Sequence, residues 1–286
     1  MCRLLLPLCG LLMLAGCASA PHFTSGGVPI DTSRSAKGQD SRVLFLVLHY
    51  TVADLPISLK VLTERDVSAH YLVSDEVQPR IFRLVDENRR AWHSGASGWK
   101  GHRMLNASSI GIEIVHPGFK LAPDQQRVYQ PFAQSQIDVL LPLVQDIVQR
   151  HQIRPDRILG HGEVTPSYKE DPGPTFPWAL LAQRGITPPL PDAARVAEQR
   201  ALFSIQLPDP AWFQERLAQH GYPIERSGLW DPQSQRVLMN FQMRYRPADY
   251  SGQPDAESAA LLLVLTAPVT PADPATPAVG APVFRP

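Results

Sequence analysis

The run Val43–Leu48 (VLFLVL) is the feature that most constrains the fold of this chain. Six consecutive apolar residues, with β-branched valines among them, predict a buried strand. The segments His70–Ser74, Arg80–Val85 and Ile110–Val115 predict further strands. Because the strands alternate with helical patterns, the sequence predicts an α/β fold, a mixed β-sheet flanked by helices.

Two helices are predicted between these strands. Ser135 to His151 carries a regular apolar stripe, although Pro142 lies inside the pattern and removes a backbone donor. Ser58–Asp66 favours a second, shorter helix. A last short strand at Arg157–Leu159 precedes Gly160 and His161.

The chemistry-bearing side chains lie close to predicted strand ends. His49 and His161 each follow a predicted strand, where α/β sheets usually place their sites. Glu113 lies on the face opposite to its isoleucine neighbours and can therefore face a cleft. Two imidazoles and the carboxylate of Asp171 offer three ligands for one zinc ion, leaving a fourth position open. Glu113 could then serve as general base, and Lys169 could offset developing negative charge.

Spacing alone leaves another interpretation open, since a histidine at a strand end is more often a packed residue than a ligand. A wider pattern favours the metal site. From Arg42 to about Trp178 the chain resembles the N-acetylmuramoyl-L-alanine amidase type 2 family, which includes the AmpD-like bacterial amidases. The residues that carry the resemblance are LVLHYT, SAHYLVS, AWHSGASGWKG, LNASSIGIEIVHPG and ILGHGEVTPSYKEDPGPTFPW.

The resemblance implies a zinc enzyme that hydrolyses the amide between the lactyl group of muramic acid and L-alanine, in peptidoglycan or its muropeptide fragments. It implies that His49, His161 and Asp171 bind the zinc. By the same resemblance Glu113 and Lys169 are the catalytic pair. Intact and 1,6-anhydro muramic acid both remain open as substrates.

A Gly- and Ser-rich loop supplies candidate substrate contacts. Trp92, His93, Trp99 and Arg103 lie in this loop, where rings can stack on sugars and arginine can pair with carboxylates. Asn106 is a further candidate for contact with the stem peptide. The alternative is that Trp92 and Trp99 only pack at the rim.

A small all-helical domain is predicted at the C-terminal side. Helices are expected at about Ala211–His220, Gln233–Tyr245 and Asp255–Leu265. The segments LAQHGYPI, SGLWDPQSQRVLMNFQMRY and GQPDAESAALL resemble the type 1 peptidoglycan-binding domain. Wall binding is therefore expected there, and the alternative is an appendage that only stabilises the protein.

The N-terminal segment resembles a bacterial lipoprotein signal peptide. Arg3 precedes an apolar run, and Leu14-Ala15-Gly16-Cys17 is similar to a lipobox, which implies acylation of Cys17. The resemblance to Gram-negative lipoproteins implies an anchor in the periplasmic face of the outer membrane. An ordinary signal peptide is the alternative. A net charge of zero gives no reason to expect nucleic-acid binding.

These observations predict six segments. They are a signal peptide at residues 1–16, a flexible tether at 17–40, the zinc amidase domain at 41–186, a linker at 187–202, the helical domain at 203–266 and a disordered proline-rich tail at 267–286. Two other functions are alternatives. A wall sensor without activity would not need Glu113, Lys169 and Asp171, and the order of the motifs argues against a zinc peptidase.

Overall fold

The computed structural model describes residues 22–268. The chain divides into two units, Met1–Asp40 and Ser41–Pro286. In the first unit, within the segment predicted as a tether, two short exposed strands pair antiparallel: β1 (His22–Phe23) and β2 (Pro29–Ile30). The predicted signal peptide, Cys17 and nearly all of the predicted tail lie outside the described residues.

The second unit contains the remaining elements. The strands are β3 (Phe45–Tyr50), β4 (Tyr71–Val73), β5 (Ile81–Arg83), β6 (Gly98–Trp99), β7 (His102–Arg103), β8 (Ser109–Ile114), β9 (Phe119–Leu121), β10 (Arg127–Tyr129) and β11 (Ile158–Gly160). The helices are α1 (Leu55–Glu64), α2 (Gln134–His151), α3 (His161–Val164), α4 (Trp178–Gln183), α5 (Ala193–Ile205), α6 (Pro210–His220), α7 (Pro232–Tyr245) and α8 (Ala256–Thr266). Within residues 22–268 no helix is both long and apolar enough to cross a bilayer.

The main sheet has the strand order β11-β3-β8-β4-β5. Its neighbours run parallel except for β5, which pairs antiparallel with β4. The predicted mixed sheet is therefore confirmed. β3 lies second in the order with neighbours on both sides, which explains why the run that encodes it is apolar throughout.

One face of the sheet packs against α2. Leu46 and Leu48 of β3 and the isoleucines of β8 share a core with Leu140 and Val144 of the helix. α2 continues through Pro142, which is exposed, so the carbonyl group deprived of its helical donor can be solvated. The prediction of this helix is confirmed. It begins at Gln134, one residue before the predicted start at Ser135.

The opposite face of the sheet packs against the C-terminal helices. Phe45 and Val47 of β3 and Leu159 of β11 are at most 2% exposed. They share a core with Phe213 of α6 and Phe241 of α7. The helical module is thus one layer of the sandwich that buries the sheet, rather than a separate body.

The three predicted helices of this module are present as α6, α7 and α8. Each begins after an aspartate whose carboxylate accepts a hydrogen bond from a backbone N–H in the first turn, and these caps are Asp209, Asp231 and Asp255.

The segment 187–202, predicted as a linker, holds most of α5 instead. Asp192 caps this helix, and α5 packs on α8 without fully burying any residue. Its apolar stripe is therefore weak in the sequence.

Candidate metal centre

Three ligating atoms meet at the carboxyl end of β3. The Nδ1 atoms of His49 and His161 are 3.0 Å apart, and each lies 3.2 Å from Oδ2 of Asp171. All three side chains are at least nine-tenths buried. His49 and His161, which are more than 100 residues apart in the sequence, therefore direct their ring nitrogens to the same position as Asp171.

The backbone explains this convergence. β11 pairs with β3 so that Gly160 lies beside Leu48, which brings His161, the next residue, to the level of His49. The N–H of Gly162 donates to the carbonyl of Asp171 at 2.8 Å, so the loop that carries the carboxylate is held against α3.

The shifted pKa values of His49 and Asp171 keep lone pairs on these side chains available for a metal ion. Burial lowers the pKa of His49 to about 4, with the nearby His161 adding to the effect and Asp171 opposing it. Burial tends to raise the pKa of Asp171, but the two imidazoles outweigh it and hold that pKa well below the ordinary value. A neutral imidazole and an ionised carboxylate are the states that ligate a metal.

The three atoms fit a single tetrahedral ion. Ligands about 2.0–2.1 Å from zinc lie about 3.3 Å from one another in a tetrahedron. The observed separations of 3.0–3.2 Å are close to that value. Two nitrogens and one carboxylate oxygen also suit zinc better than magnesium or calcium, which prefer oxygen ligands.

Glu113 lies beside His49, because the parallel register of β3 and β8 pairs the two residues. Its Oε2 is buried and has no hydrogen-bond partner within the described part of the chain. Burial, with the nearby charge of Asp171, raises the pKa of Glu113 to about 8, and Lys169 opposes this rise. A carboxylate with an unoccupied oxygen and a pKa near neutrality is suited to proton transfer.

Glu113, Lys169, His161 and Asp171 line one cleft with a volume of about 250 Å³. Lys169 is half-buried, and within residues 22–268 its ammonium group has no ion-pair partner. The structure thus brings together the five residues predicted to bind the metal or act in catalysis.

Helix α1 forms another wall of this cleft, which sequence reasoning missed. Ser58, Val61 and Leu62 face the cleft from α1, and Val67 and Ser68 follow the helix. Apolar residues on a short amphipathic helix give the same pattern whether they line a core or a cleft, so the sequence carries no separate signal.

Two of the predicted substrate contacts lie at this cleft. Trp92 is 49% exposed and lines it, as expected of a residue that can stack on a sugar. His93 is only 9% exposed, and its ring is hydrogen bonded behind His49. His93 also lines the cleft, so a contact with substrate stays a prediction.

The other three predicted contacts lie elsewhere. Trp99 is 3% exposed, packs on Tyr222 and donates its indole N–H to the carbonyl of Asp156. Arg103 lines a separate groove beside Pro223. The Asn106 side-chain oxygen accepts hydrogen bonds from both backbone N–H groups of the 93–94 segment. All three residues therefore lie outside the cleft. Trp99 packs in the core, Arg103 lines the other groove, and Asn106 supports the loop.

The helical module also touches the site directly. The side-chain amide of Asn240 in α7 donates to the carbonyl of Lys169 at 3.0 Å. Nearby, Arg244 forms a buried ion pair with Glu163 of α3 at 2.5 Å and stacks over Trp178. Nothing in the sequence pattern pointed to these contacts.

Comparison with known proteins gives matches along most of the chain. Residues 39–174 match the N-acetylmuramoyl-L-alanine amidase family, and residues 206–262 match a peptidoglycan binding domain. Over 257 residues the chain is 40% identical to the N-acetylmuramoyl-L-alanine amidase AmiD of Escherichia coli (strain K12), an alignment that covers 87% of this chain and 92% of that protein.

Two solved structures are also similar to this chain. AmiD from E. coli, in complex with the substrate anhydro-N-acetylmuramic acid-L-Ala-D-γ-Glu-L-Lys, superimposes with a TM-score of 0.74 at 38% identity, covering 85% of this chain and 96% of AmiD. AmpDh3 from Pseudomonas aeruginosa, in complex with an anhydromuramic pentapeptide, superimposes with a TM-score of 0.74 at 36% identity, covering 82% of this chain and 96% of AmpDh3. These matches confirm the resemblance and the fold class predicted from the sequence.

Proposed function

The chain belongs to the N-acetylmuramoyl-L-alanine amidase family, and we propose that it cleaves the lactyl–L-alanine amide of muropeptides with a zinc ion bound by His49, His161 and Asp171. The observation that carries the proposal is the triangle of two imidazole nitrogens and one carboxylate oxygen, 3.0–3.2 Å on each side. An amide hydrolase of this family is the enzyme class expected from the sequence.

When bound at these residues, zinc supplies Lewis-acid chemistry, polarising a carbonyl and lowering the pKa of a water molecule. Glu113 is the general base. In the ionised form of Glu113, its buried Oε2 takes the proton from the attacking water, and the resulting carboxylic acid returns that proton to the leaving amine of L-alanine. Lys169 lines the same cleft, where its positive charge stabilises the negative charge of the transition state.

Trp92 is the proposed sugar contact. Its half-exposed ring at the edge of the cleft offers a flat apolar surface. The AmiD and AmpDh3 complexes contain anhydromuramic ligands, which supports anhydromuropeptides as substrates for this chain. For intact wall, the helical module, which matches a peptidoglycan binding domain, is the proposed contact.

The test is digestion of a purified anhydromuropeptide followed by mass spectrometry. The expected products are the anhydro sugar without peptide and the complete stem peptide. Treatment with EDTA should abolish the reaction, and added zinc should restore it. A shortened stem that is still attached to muramic acid would instead indicate a peptidase and would contradict the proposal.

Location is proposed separately. The similarity to an N-acetylmuramoyl-L-alanine amidase supports a substrate in the cell wall, and the lipobox-like run ending at Cys17 supports an anchor in the outer membrane. In a Gram-negative host, Cys17→Ala should move the protein from the membrane fraction to the periplasm. Unchanged partition into the membrane would contradict the anchor without affecting the proposed reaction.

A further inference from the structure

We propose that His93 is a positioning residue which, together with Ser109, holds His49 in the tautomer whose Nδ1 is free to bind the metal. The inference rests on the metal site proposed above. It assigns to His93 the role of orienting His49, a proposed metal ligand, in place of the substrate contact expected from the sequence.

A chain of hydrogen bonds runs away from the metal site into the protein. Nε2 of His49 is 3.0 Å from Nδ1 of His93, and the two rings are perpendicular. Nε2 of His93 is in turn 3.0 Å from the hydroxyl of Ser109. That hydroxyl lies 2.7 Å from the carbonyl oxygen of Leu105. The series of hydrogen bonds thus ends on a carbonyl group, which can accept a hydrogen bond but cannot donate one.

Counting protons along this chain determines the tautomers. Because the carbonyl of Leu105 cannot donate, the single proton of the Ser109 hydroxyl points to it. Ser109 must therefore accept a hydrogen bond from Nε2–H of His93, which leaves a lone pair on Nδ1 of a neutral His93 ring. That lone pair accepts a hydrogen bond from Nε2–H of His49. The remaining nitrogen of His49, Nδ1, then carries the lone pair that faces His161 and Asp171.

The surroundings of His93 favour a neutral ring. The groups that face it are His49, Ser109 and the ring of His70, and no carboxylate hydrogen bonds to it within residues 22–268. His70 accepts the backbone N–H of Gly111 on Nδ1, so its own proton lies on Nε2 and points to the carbonyl of Arg89. A positive charge on His93 would be buried without compensation.

The backbone of β8 provides the space for this ring. A Cβ atom on Gly111 would lie only 2.5 Å from Cγ of His93, so only glycine allows the ring to lie over the strand. On the other side, Asn106 accepts the backbone N–H of His93 at 3.1 Å. The position of the ring is therefore determined by contacts on two sides. Metal-binding histidines are commonly oriented in this way by a partner on the second nitrogen.

The direct test is a two-bond ¹H–¹⁵N spectrum of the metal-free protein labelled on histidine nitrogen. We expect His49 and His93 both as Nε2–H tautomers. Zinc affinity, measured by competition with a chromophoric chelator, should fall about 10- to 100-fold in His93→Leu. His93→Asn should bind zinc within a few-fold of the parent, because its side-chain oxygen can still accept from Nε2–H of His49.

His220→Leu is the matched control. His220 is a partly buried histidine that is hydrogen bonded to Tyr245 in the helical module, so its loss should leave zinc affinity unchanged. Gly111→Ala is a second route to the same loss, since it displaces the His93 ring without changing any hydrogen-bonding group.

Two results would overturn the inference. One is a parent spectrum with the proton of His49 on Nδ1, and this measurement requires no substitution. The other is a folded His93→Leu protein that binds zinc as tightly as the parent. A parent protein that binds no zinc would contradict the proposed metal site itself, so the two failures can be told apart.

Discussion

Glu113 presents one carboxylate oxygen to the cleft without a hydrogen-bond partner in the described part of the chain. Desolvating a polar atom in this way costs free energy. This oxygen therefore does not stabilise the fold. Its position beside the candidate metal ligands fits a group that transfers protons during the reaction.

We expect Glu113→Gln to lower kcat by about 10²–10⁴ while leaving zinc affinity within a few-fold of the parent, because the amide keeps the shape but cannot accept the proton. The rate of peptide release and chelator competition measure the two effects. Glu64→Gln, at an exposed glutamate in the last turn of α1, is the control and should keep the parent rate. Parent-level turnover by Glu113→Gln would exclude Glu113 as the base.

Glu87 joins the loop after β5 to the end of α2. Hydrogen bonding to Arg150 lowers the pKa of Glu87 to about 2, with Tyr71 and His151 contributing and burial opposing. A carboxylate whose folded-state pKa is depressed stabilises the protein above its unfolded-state pKa of about 4.3. That stability is lost as the pH falls through 4 towards 2.

Glu87→Gln should therefore destabilise the protein at pH 6 by about 1–2 kcal/mol, a value reduced from the full shift because Arg150 is 42% exposed and screened by solvent. The difference in free energy of unfolding between parent and variant should shrink towards zero near pH 2–3. Denaturant titrations at several pH values measure it. A difference that stays constant with pH would refute the assigned ion pair.

Helix α7 donates a hydrogen bond to the backbone of Lys169, the proposed catalytic lysine. Asn240→Ala removes the donor to the Lys169 carbonyl. We expect kcat to fall about tenfold with KM and zinc affinity unchanged, because a small misplacement of a charged group weakens its effect on the transition state. Arg236→Ala, one turn earlier and exposed, should match the parent. An unchanged kcat in Asn240→Ala would show that α7 does not position Lys169.

Within the second unit, the helical module covers one face of the sheet and α2 covers the other. Removing residues 190–286 would expose Phe45, Val47 and Leu159 and leave Glu163 without Arg244. Each exposed side chain costs about 1.5–3 kcal/mol, so the three together cost about 5–9 kcal/mol. Such a loss is comparable to the total stability of a typical domain, about 5–15 kcal/mol.

We therefore expect the truncated chain to be insoluble or to unfold at a much lower temperature than the parent, as measured by thermal denaturation. A truncated chain that keeps the parent Tm and cleaves muropeptides at the parent rate would show that the module is a separable appendage. That appendage was the alternative left open by the sequence.

Local patterns predicted the strands of the sheet, because each strand is encoded by contiguous residues. The resemblance to the amidase family, rather than spacing, predicted that the five chemical residues act at one site. The burial and contacts of a side chain could not be predicted where they depend on residues far away in the sequence. Trp99 is buried because Tyr222, more than 100 residues away, packs on it. His93 lies inward because Gly111 leaves room for its ring. The helix α5 was missed because it buries no residue fully and so lacks a strong apolar stripe.

Anomalous diffraction at the zinc edge, from crystals grown with zinc, tests whether the three side chains bind one zinc ion. We expect one strong peak about 2.0–2.2 Å from Nδ1 of His49, Nδ1 of His161 and Oδ2 of Asp171. Absence of that peak, with the three side chains turned away from one another, would contradict the proposed metal site.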